Sequence, residues 1–212
     1  MAHSRKHKGR CIAGLGAYGE GWIRPVPKNG GPLFPEHFRL HDGSEPQNLD
    51  LISIDFEGPA PDEYQPENWA IAGDTWRLVQ RPVSDQCLEP LDSHLSEGPH
   101  LFGDFDDKVH KDVVCKMPGS GSLQLVTPGR IEWHVRDNWQ ARVKFALGYG
   151  RYDLPVTDIV WEQWIRNREF EKGEACAPGD KIMFTVSLGR PWEKDDCCYK
   201  LVAGVVVIPG DL

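Results

Sequence analysis

A glycine-rich turn near the start of the chain lies between two short apolar runs. The runs are residues 11–13, Cys-Ile-Ala, and residues 22–23, Trp-Ile, and the glycines of the turn are Gly14, Gly16, Gly19 and Gly21. Apolar runs on both sides of such a turn are typical of a β-hairpin. Arg24 then projects from the end of the second strand. We expect Pro25 to stop further pairing, because proline has no N–H to donate to a neighbouring strand.

The composition favours short strands joined by many turns. The 212 residues include 22 glycines and 17 prolines, which is high for a helical protein and ordinary for a β protein. A chain of this length can bury a full core in one large β domain or in two small ones. We expect two: a first β domain at residues 1–81, a connecting segment at 82–112 and a second β domain at 113–212.

Apolar and polar residues alternate along much of the chain, as they do in strands with one face in water. Asp158 or Thr157 is positioned to cap a helix predicted at 159–170. The final predicted strand is apolar at nearly every position, which predicts burial on both faces, and its Gly204 is a candidate bulge. Strands are predicted at 49–56, 68–71, 75–79, 122–127, 130–136, 138–147, 180–188 and 198–208.

The net charge of −8 is unevenly distributed along the chain. Residues 1–40 carry seven Lys or Arg against two Asp or Glu, whereas residues 41–112 carry four against seventeen. Residues 113–212 carry thirteen of each. A protein that binds duplex nucleic acid tightly usually presents a broad basic face, so the acidic middle argues against that function. A local basic groove remains compatible with the sequence.

The cysteines and the chain start favour a cytoplasmic protein. None of the six cysteines forms a C-x-x-C pair, and the basic N-terminus is not followed by the apolar run of a signal peptide. We therefore expect free thiols in a reducing compartment. The longest apolar run, at 205–208 with its neighbours, is too short to span a membrane, and we expect no membrane partner.

Seven short motifs, taken in order, carry a resemblance to a known family. They are G-R-C-I-A-G, G-W-I-R-P-V, L-D-L-I-S-I, Q-P-E-N-W, V-T-D, V-S-L-G-R-P-W and Y-K-L-V-A-G, at residues 9–14, 21–26, 49–54, 65–69, 156–158, 186–192 and 199–204. In these motifs the chain resembles the bacterial dual OB-containing domain family over essentially its whole length. The resemblance implies a β-rich fold of two small OB-like Greek-key β-barrels packed together. It implies architecture more than chemistry, and no catalytic residues are carried over from it.

The first candidate site is at the N-terminal hairpin, where a basic segment at residues 3–8 leads to Tyr18, Trp22 and Arg24. Barrels of the OB type hold single strands by stacking bases on exposed aromatic rings and by placing Arg or Lys against phosphates. In the alternative interpretation Trp22 belongs to the core. Arg24 then pairs with an acid such as Asp50 or Asp55.

A second candidate site combines Gln65, Asn68 and Trp69 with nearby acidic residues. Side-chain amides offer both a donor and an acceptor, so they could hydrogen-bond the edge of a base or a sugar. Equally, Asn68 could satisfy backbone groups of a loop while Trp69 plugs the end of a barrel.

Two further features combine basic and aromatic residues. Arg190 and Trp192 lie in the loop between the last two predicted strands, where OB-type barrels commonly grip ligands, although acidic residues surround them. Arg142 and Lys144 alternate along one strand and so share its wet face. A charged wet face is the usual explanation of such a row.

Metal binding and catalysis have little support in the sequence. The histidines and cysteines of the central region match no zinc-ligand spacing; they are His94, His100, His110, Cys87 and Cys115. The aspartates at 104–107 lack the pattern of a calcium-binding EF-hand loop. We expect no metal and no cofactor.

The sequence therefore predicts a non-enzymatic binding module, with single-stranded nucleic acid or a nucleotide-like anion as its ligand. The alternative is a protein–protein interaction module of a multi-protein bacterial system, in which the acidic residues of 41–112 would meet a basic partner. An enzyme acting on nucleic acid ranks third, because no paired-acid or His/Cys motif is present.

Overall fold

The computed structural model describes residues 2–6, 9–73, 76–81, 91–117, 121–171 and 179–210. Within these ranges the chain is rich in strands, as predicted. The helices are α1 (Pro35–Phe38), α2 (Lys111–Val114) and α3 (Ile159–Arg166), with a 3-10 turn at Glu169–Glu171. The strands are β1 (Ala2–Lys6), β2 (Gly9–Leu15), β3 (Trp22–Val26), β4 (Leu51–Ser53), β5 (Phe56–Pro59), β6 (Asn68–Ile71), β7 (Arg77–Gln80), β8 (Lys108–His110), β9 (Leu123–Val126), β10 (Gly129–Val135), β11 (Ala141–Leu147), β12 (Gly150–Pro155), β13 (Lys181–Leu188) and β14 (Cys197–Ile208).

The second half forms a closed barrel. β10, β11 and β12 form an antiparallel meander, while β14 pairs with β13 and β13 with β9. A parallel bridge between Val156 and Val202 joins the end of β12 to β14. β9 leads into β10 across Pro128, so the ring closes through the chain itself. Two strands in parallel contact within an otherwise antiparallel ring are expected of a Greek-key barrel of the OB type.

Apolar side chains at alternate positions along the strands point inward and fill this barrel. Val143 and Phe145 of β11 and Tyr152 and Leu154 of β12 point inward and are buried. The rings of Phe145 and Tyr152 stack with centroids 5.4 Å apart. The register between β13 and β14 shifts after Thr185, which faces Gly204, so the predicted bulge is confirmed.

The first half follows the same plan. Its sheet has the order β1-β2-β3-β6-β5, and β3 runs parallel to β6 just as β12 runs parallel to β14. The predicted strand at 49–56 is broken into β4 and β5. β4 pairs with β7 in a separate ribbon, whereas β5 pairs with β6. Phe38 and Trp76 are buried at the centre of this half, with ring centroids 6.4 Å apart.

A short sequence repeat accompanies the shared plan. The tip between β2 and β3 reads L-G-A-Y-G at 15–19, and the tip between β11 and β12 reads L-G-Y-G at 147–150. In both barrels a Pro-Val pair stands at the end of the strand after the tip, at 25–26 in β3 and at 155–156, where Pro155 is the last residue of β12. The two hairpins are therefore alike in sequence as well as in their place in the strand order.

The predicted N-terminal hairpin is present, but Pro25 does not stop its second strand. β3 continues to Val26 and pairs with β6 beyond the point where its pairing with β2 ends. The backbone N–H of Arg24 donates to the carbonyl of Glu67 on the β6 side, at 2.9 Å. Because successive residues of a strand direct their N–H groups to opposite sides, the nitrogen of Pro25 faces away from β6. The missing donor therefore lies on the side of β2, where the pairing ends at Ile23, and leaves the pairing with β6 intact.

The basic segment and the predicted connecting segment both pack against the second half. The described part of the basic segment, residues 3–6, belongs to strand β1, whose Ala2 and Ser4 are buried, and Ser4 bridges to Asp158 of the second half. In the predicted connecting segment, Leu101 and Phe102 are buried in the core of the second barrel, and β8 pairs with β14. The described end of this segment is thus part of the second barrel.

Asp158 ties α3 to the barrel. Its carboxylate accepts the N–H groups of Val160 and Trp161, at 3.0 and 3.1 Å, as the predicted N-cap of the helix. The other oxygen accepts the N–H of Val205 in β14, at 3.0 Å. The residue is 2% exposed, so these bonds are made inside the protein.

We expect Asp158→Ala to lower the free energy of unfolding by about 2 to 4 kcal/mol, since it removes a helix cap and leaves a buried N–H without an acceptor. Urea denaturation monitored by circular dichroism measures the change. Glu97→Ala, at an exposed position, is the control and should shift stability by less than about 0.5 kcal/mol. Equal stability of the two variants would contradict this role of Asp158.

Candidate functional site

Arg24, predicted to line a ligand groove, lies at the contact between the two barrels and is 3% exposed. Its Nε and Nη2 donate to one carboxylate oxygen of Glu67, at 2.9 and 2.7 Å. Nη2 also donates to the hydroxyl of Ser122, at 2.7 Å, and Nη1 lies 2.6 Å from the sulfur of Cys11. Ser122 directly precedes β9, so the guanidinium links the first barrel to the second.

Glu67 completes this link from the other side. Its second carboxylate oxygen accepts the backbone N–H of Ser122 at 3.0 Å. Burial alone would raise the pKa of Glu67, but the charge of Arg24 and the hydrogen bonds from Ser122 outweigh it and hold the pKa below its usual value. A side chain at Gly121 would bring its Cβ within 2.9 Å of the same carboxylate. The Arg24–Glu67 pair is therefore charged, buried and closely enclosed.

The acids proposed from the sequence as partners of Arg24 are engaged elsewhere. Asp50 pairs with Arg81 at 2.8 Å, and Asp55 pairs with Arg77 at 3.2 Å. Since the guanidinium of Arg24 is enclosed by protein groups, it cannot reach a ligand in this structure.

The other predicted site residues fall into two groups. Gln65 and Asn68 are buried beside Glu67. Trp22 is half-buried and packs on both apolar clusters between the barrels, and Trp69 packs edge-on against Phe56 with ring centroids 5.7 Å apart. These four side chains therefore lie in the protein interior or at the contact between the two barrels.

Tyr18, Trp192 and Arg190 lie at the surface. Tyr18 is 93% exposed at the tip of the first hairpin, and Trp192 is 49% exposed with Nζ of Lys194 4.9 Å from its ring centroid. Arg190 pairs with Asp62 of the first barrel at 2.8 Å. The predicted residues therefore do not converge on one open groove, and ligand contact remains a proposal for the exposed ones.

An aromatic residue that the sequence did not single out stands in the loop between β10 and β11. The N–H of Trp139 donates to the carbonyl of Arg136 at 2.8 Å, and the N–H of Arg136 donates to the carbonyl of Gln140 at 3.1 Å. Trp139 has a φ of 60° and is 66% exposed. A type I turn followed by one left-handed residue is a common three-residue hairpin loop, but that position favours glycine. A bulky residue there is a conformational outlier.

A cleft of about 250 Å³ opens beside Trp139, lined by Val135, Arg136, Asp137, Trp139 and Arg168. Arg136 donates to Asp153 at 3.2 Å, and Arg168 to Glu171 at 3.0 Å. Each guanidinium carries five N–H donors. Both therefore keep donors for a ligand.

The cleft adjoins the outer face of the β10–β11–β12 sheet, which is basic. The register places Arg142 and Lys144 of β11 opposite His134 and Glu132 of β10. On β12, Asp153 and Arg151 lie opposite Lys144 and Ala146. With Arg136 beyond the end of β10, this face carries four Arg or Lys side chains against two carboxylates. We call this surface the basic face. Its excess of positive charge contrasts with the net charge of −8 of the whole chain.

Asp153 organises the basic face. It accepts hydrogen bonds from Arg142 and Arg136, at 2.8 and 3.2 Å, and pairs with His134 at 3.0 Å. Burial opposes ionisation of the carboxyl, but these partners lower its pKa to about 2. Arg142 is buried beneath its partners, so the exposed cations of the face are Arg136, Lys144 and Arg151.

Half of the described acidic side chains in the middle of the chain are paired with Lys or Arg. Asp62, Asp92 and Asp104 pair with Arg190, Lys181 and Lys200 of the second half. Within or near the first barrel, similar pairs involve Asp50, Asp55, Glu57 and Glu67. The acidic surface available to a basic partner is therefore smaller than the sequence indicates.

Metal-binding and membrane-spanning features were also sought in the described ranges. There, no three His, Cys, Asp or Glu side chains are grouped so that they could hold a metal ion. No helix in those ranges is long and apolar enough to cross a membrane. Four cysteines are free thiols, whereas Cys87 and Cys176 lie outside the described residues; the four are Cys11, Cys115, Cys197 and Cys198.

We expect Glu67→Gln to lower the free energy of unfolding by about 3 to 5 kcal/mol, because it leaves a buried guanidinium without a compensating charge. Folding lowers the pKa of Glu67, so the stability it contributes is complete above its ordinary pKa of 4.5 and is lost as the pH falls through the folded value. The variant should lack this acid-dependent step. Urea denaturation between pH 3 and pH 7 measures both effects.

The control for this prediction is Glu57→Gln, which removes a surface pair with Lys28 of 3.1 Å. It should cost less than about 1 kcal/mol. A similar loss in the two variants would show that the buried pair has no special part in holding the barrels together.

Comparison with known proteins agrees with the architecture. No curated protein and no solved structure matches this chain. A family model, that of the dual OB-containing domain, matches residues 1–205. Because the match spans nearly the whole chain and the two halves share one strand order, this chain belongs to the dual OB-containing domain family.

Proposed function

We propose that this chain is a non-enzymatic binding module for single-stranded nucleic acid, and that its ligand lies on the basic face of the second barrel. One observation carries the proposal. Trp139 is exposed in a cleft between Arg136 and Arg168, at the edge of a sheet whose outer face has a net positive charge. Membership of the dual OB-containing domain family supports a binding module, and the ligand class is our inference.

The chemistry of this surface suits a single strand. Exposed aromatic rings stack on unpaired bases, at about 1 to 3 kcal/mol per base, while Arg and Lys bind the phosphates. In barrels of the OB type, the face of the second and third strands and the neighbouring loops are the usual binding surface. β11, β12 and the β10–β11 loop occupy those positions here. A duplex is a poorer ligand, because the positive charge is confined to one face of an acidic protein.

The alternative, a protein-interaction module that uses the acidic middle of the chain, has less support. Seven of the acidic side chains that would meet a basic partner are paired with Lys or Arg within the chain, and the pair of Asp62 with Arg190 joins the two barrels. On the basic face Lys144 and Arg136 are also paired, with Glu132 at 2.8 Å and with Asp153 at 3.2 Å. The face nevertheless keeps a net positive charge, which makes an anionic ligand the better match.

We expect labelled single-stranded DNA and RNA oligomers to bind with an affinity that falls steeply between about 50 and 200 mM salt. Replacing Lys144 and Arg151 together with alanine should reduce the slope of log K against log salt by about 1.4, which corresponds to two phosphate contacts. Fluorescence anisotropy measures both quantities. Tyr18→Ala and Trp192→Ala test whether the other exposed aromatic residues also contact the ligand.

Lys28→Ala is the control for charge, since Lys28 is an exposed cation of the first barrel. It should leave the salt slope unchanged. No binding at high micromolar protein, or the same loss of slope in the control, would contradict the proposal.

A further inference from the structure

The cleft beside Trp139 is the size of a site for one base. Its volume of about 250 Å³ lies below the range of about 300 to 1,000 Å³ that is usual for small-molecule pockets. It therefore suits a single unstacked base with its phosphate better than a large cofactor. An open strand can deliver such a base, because its bases are free to splay out.

Trp139 has a left-handed backbone conformation that glycine could adopt in its place. Glycine would make the same turn without strain, whereas an L residue with a side chain is strained in the left-handed conformation. The loop is nevertheless fixed by hydrogen bonds, including one from the N–H of Gln140 to the side chain of Asn138, at 3.2 Å. Strained residues cluster at binding sites. An exposed, strained indole on a fixed loop has the properties of a stacking platform.

Asp137 gives the cleft a preference among bases. It is exposed, and its carboxylate has no hydrogen bond or ion pair with the described residues. An ionised carboxylate only accepts hydrogen bonds, through two adjacent oxygens. On its Watson–Crick edge, guanine presents two adjacent N–H donors, from N1 and N2, whereas adenine, cytosine and uracil each present donors from a single nitrogen. Guanine is thus the base that a carboxylate can hold with two parallel bonds.

The two arginines complete the site. Arg136 and Arg168 flank the same cleft, and each donates a hydrogen bond to a carboxylate outside the cleft. Their remaining donors can bind a phosphate with two parallel bonds. Base edge, base face and phosphate would each have a matching group within one cleft.

We propose that the cleft binds a single guanine nucleotide within or at the end of a strand, with the base stacked on Trp139 and its Watson–Crick edge on Asp137. This inference rests on the proposed function, because the basic face holds the rest of the strand. The cleft supplies base preference, and the basic face supplies most of the affinity.

Isothermal titration calorimetry with GMP, AMP, CMP and UMP at one ionic strength tests the preference. We expect GMP to bind about tenfold more tightly than the others, and Asp137→Ala, which removes both acceptor oxygens, to abolish the difference. Equal affinity for the four nucleotides would overturn the inference, as would an unchanged preference in Asp137→Ala.

Trp139→Gly tests the platform with a second measurement. We expect it to weaken GMP binding at least tenfold while raising the melting temperature by about 2 to 4 °C, because the strain at residue 139 is relieved. Trp139→Phe, which keeps a ring, should retain part of the binding. If Trp139→Gly binds GMP as the wild type does, the stacking role is wrong.

Oligothymidine separates failure of this inference from failure of the proposed function. If it binds in a salt-dependent way while GMP shows no preference, guanine recognition fails and strand binding stands. If neither oligothymidine nor guanine-containing oligomers bind, both proposals fail.

Discussion

The buried ion pair between Arg24 and Glu67 is the interaction on which the relation of the two barrels depends. A charged pair enclosed by protein is tolerated only where nearly all of its hydrogen-bonding groups are used. Here Ser122 bonds to both members of the pair, and Cys11 lies against the second terminal nitrogen of Arg24. The pair is contributed by β3 of the first barrel and the loop before β6, and its third member directly precedes β9 of the second. Moving one barrel relative to the other would break the bonds of both side chains to Ser122 and expose these charges. The pair therefore fixes the barrels at this contact.

This link determines which surfaces are left for a ligand. The most basic features of the first barrel lie at the contact between the barrels, because Arg24 is enclosed there and strand β1 lies against Asp158. Apolar clusters between the barrels hold Trp22 and Leu15 against strands of the second barrel. The outer face of β10, β11 and β12 takes no part in this contact. It is free, basic and bordered by an exposed tryptophan.

Much of the fold was predictable from local sequence. The hairpin, the cap of α3 at Asp158 and the last two strands follow from alternation, capping and turn residues, which act over a few positions. The partner of Arg24 was not predictable, because Glu67 lies 43 positions away and nearer acids were available. The prediction that Pro25 ends all pairing was wrong because proline removes a hydrogen-bond donor from only one side of a strand, and β6 pairs with the other side of β3. Likewise, the pairing of Asp62 with Arg190 joins residues 128 positions apart, so the sequence overstates the acidic surface.

The candidate site was only partly predictable, for a related reason. The row of Arg142 and Lys144 is visible in the alternation of β11, but its importance depends on the charges of β10 and β12 that lie beside it. The sequence did not indicate Trp139 as a site residue, because a turn of this kind usually has glycine or asparagine at that position. The aromatic residues singled out from the sequence include Trp22 and Trp69, which pack at the barrel contact and against Phe56. Exposure, which decides whether a ring can stack on a base, is a property of the tertiary structure.

The location of the ligand on the second barrel is tested most directly by nuclear magnetic resonance. Backbone amide shifts of the isotope-labelled protein would be recorded during titration with a short single-stranded oligomer. We expect the perturbed amides to fall on β10, β11, β12 and the loop at 136–140, with the amides around Arg24 and Glu67 unchanged. Perturbations confined to the first barrel or to the loop around Trp192, or none at saturating oligomer, would contradict the assignment of the basic face as the binding surface.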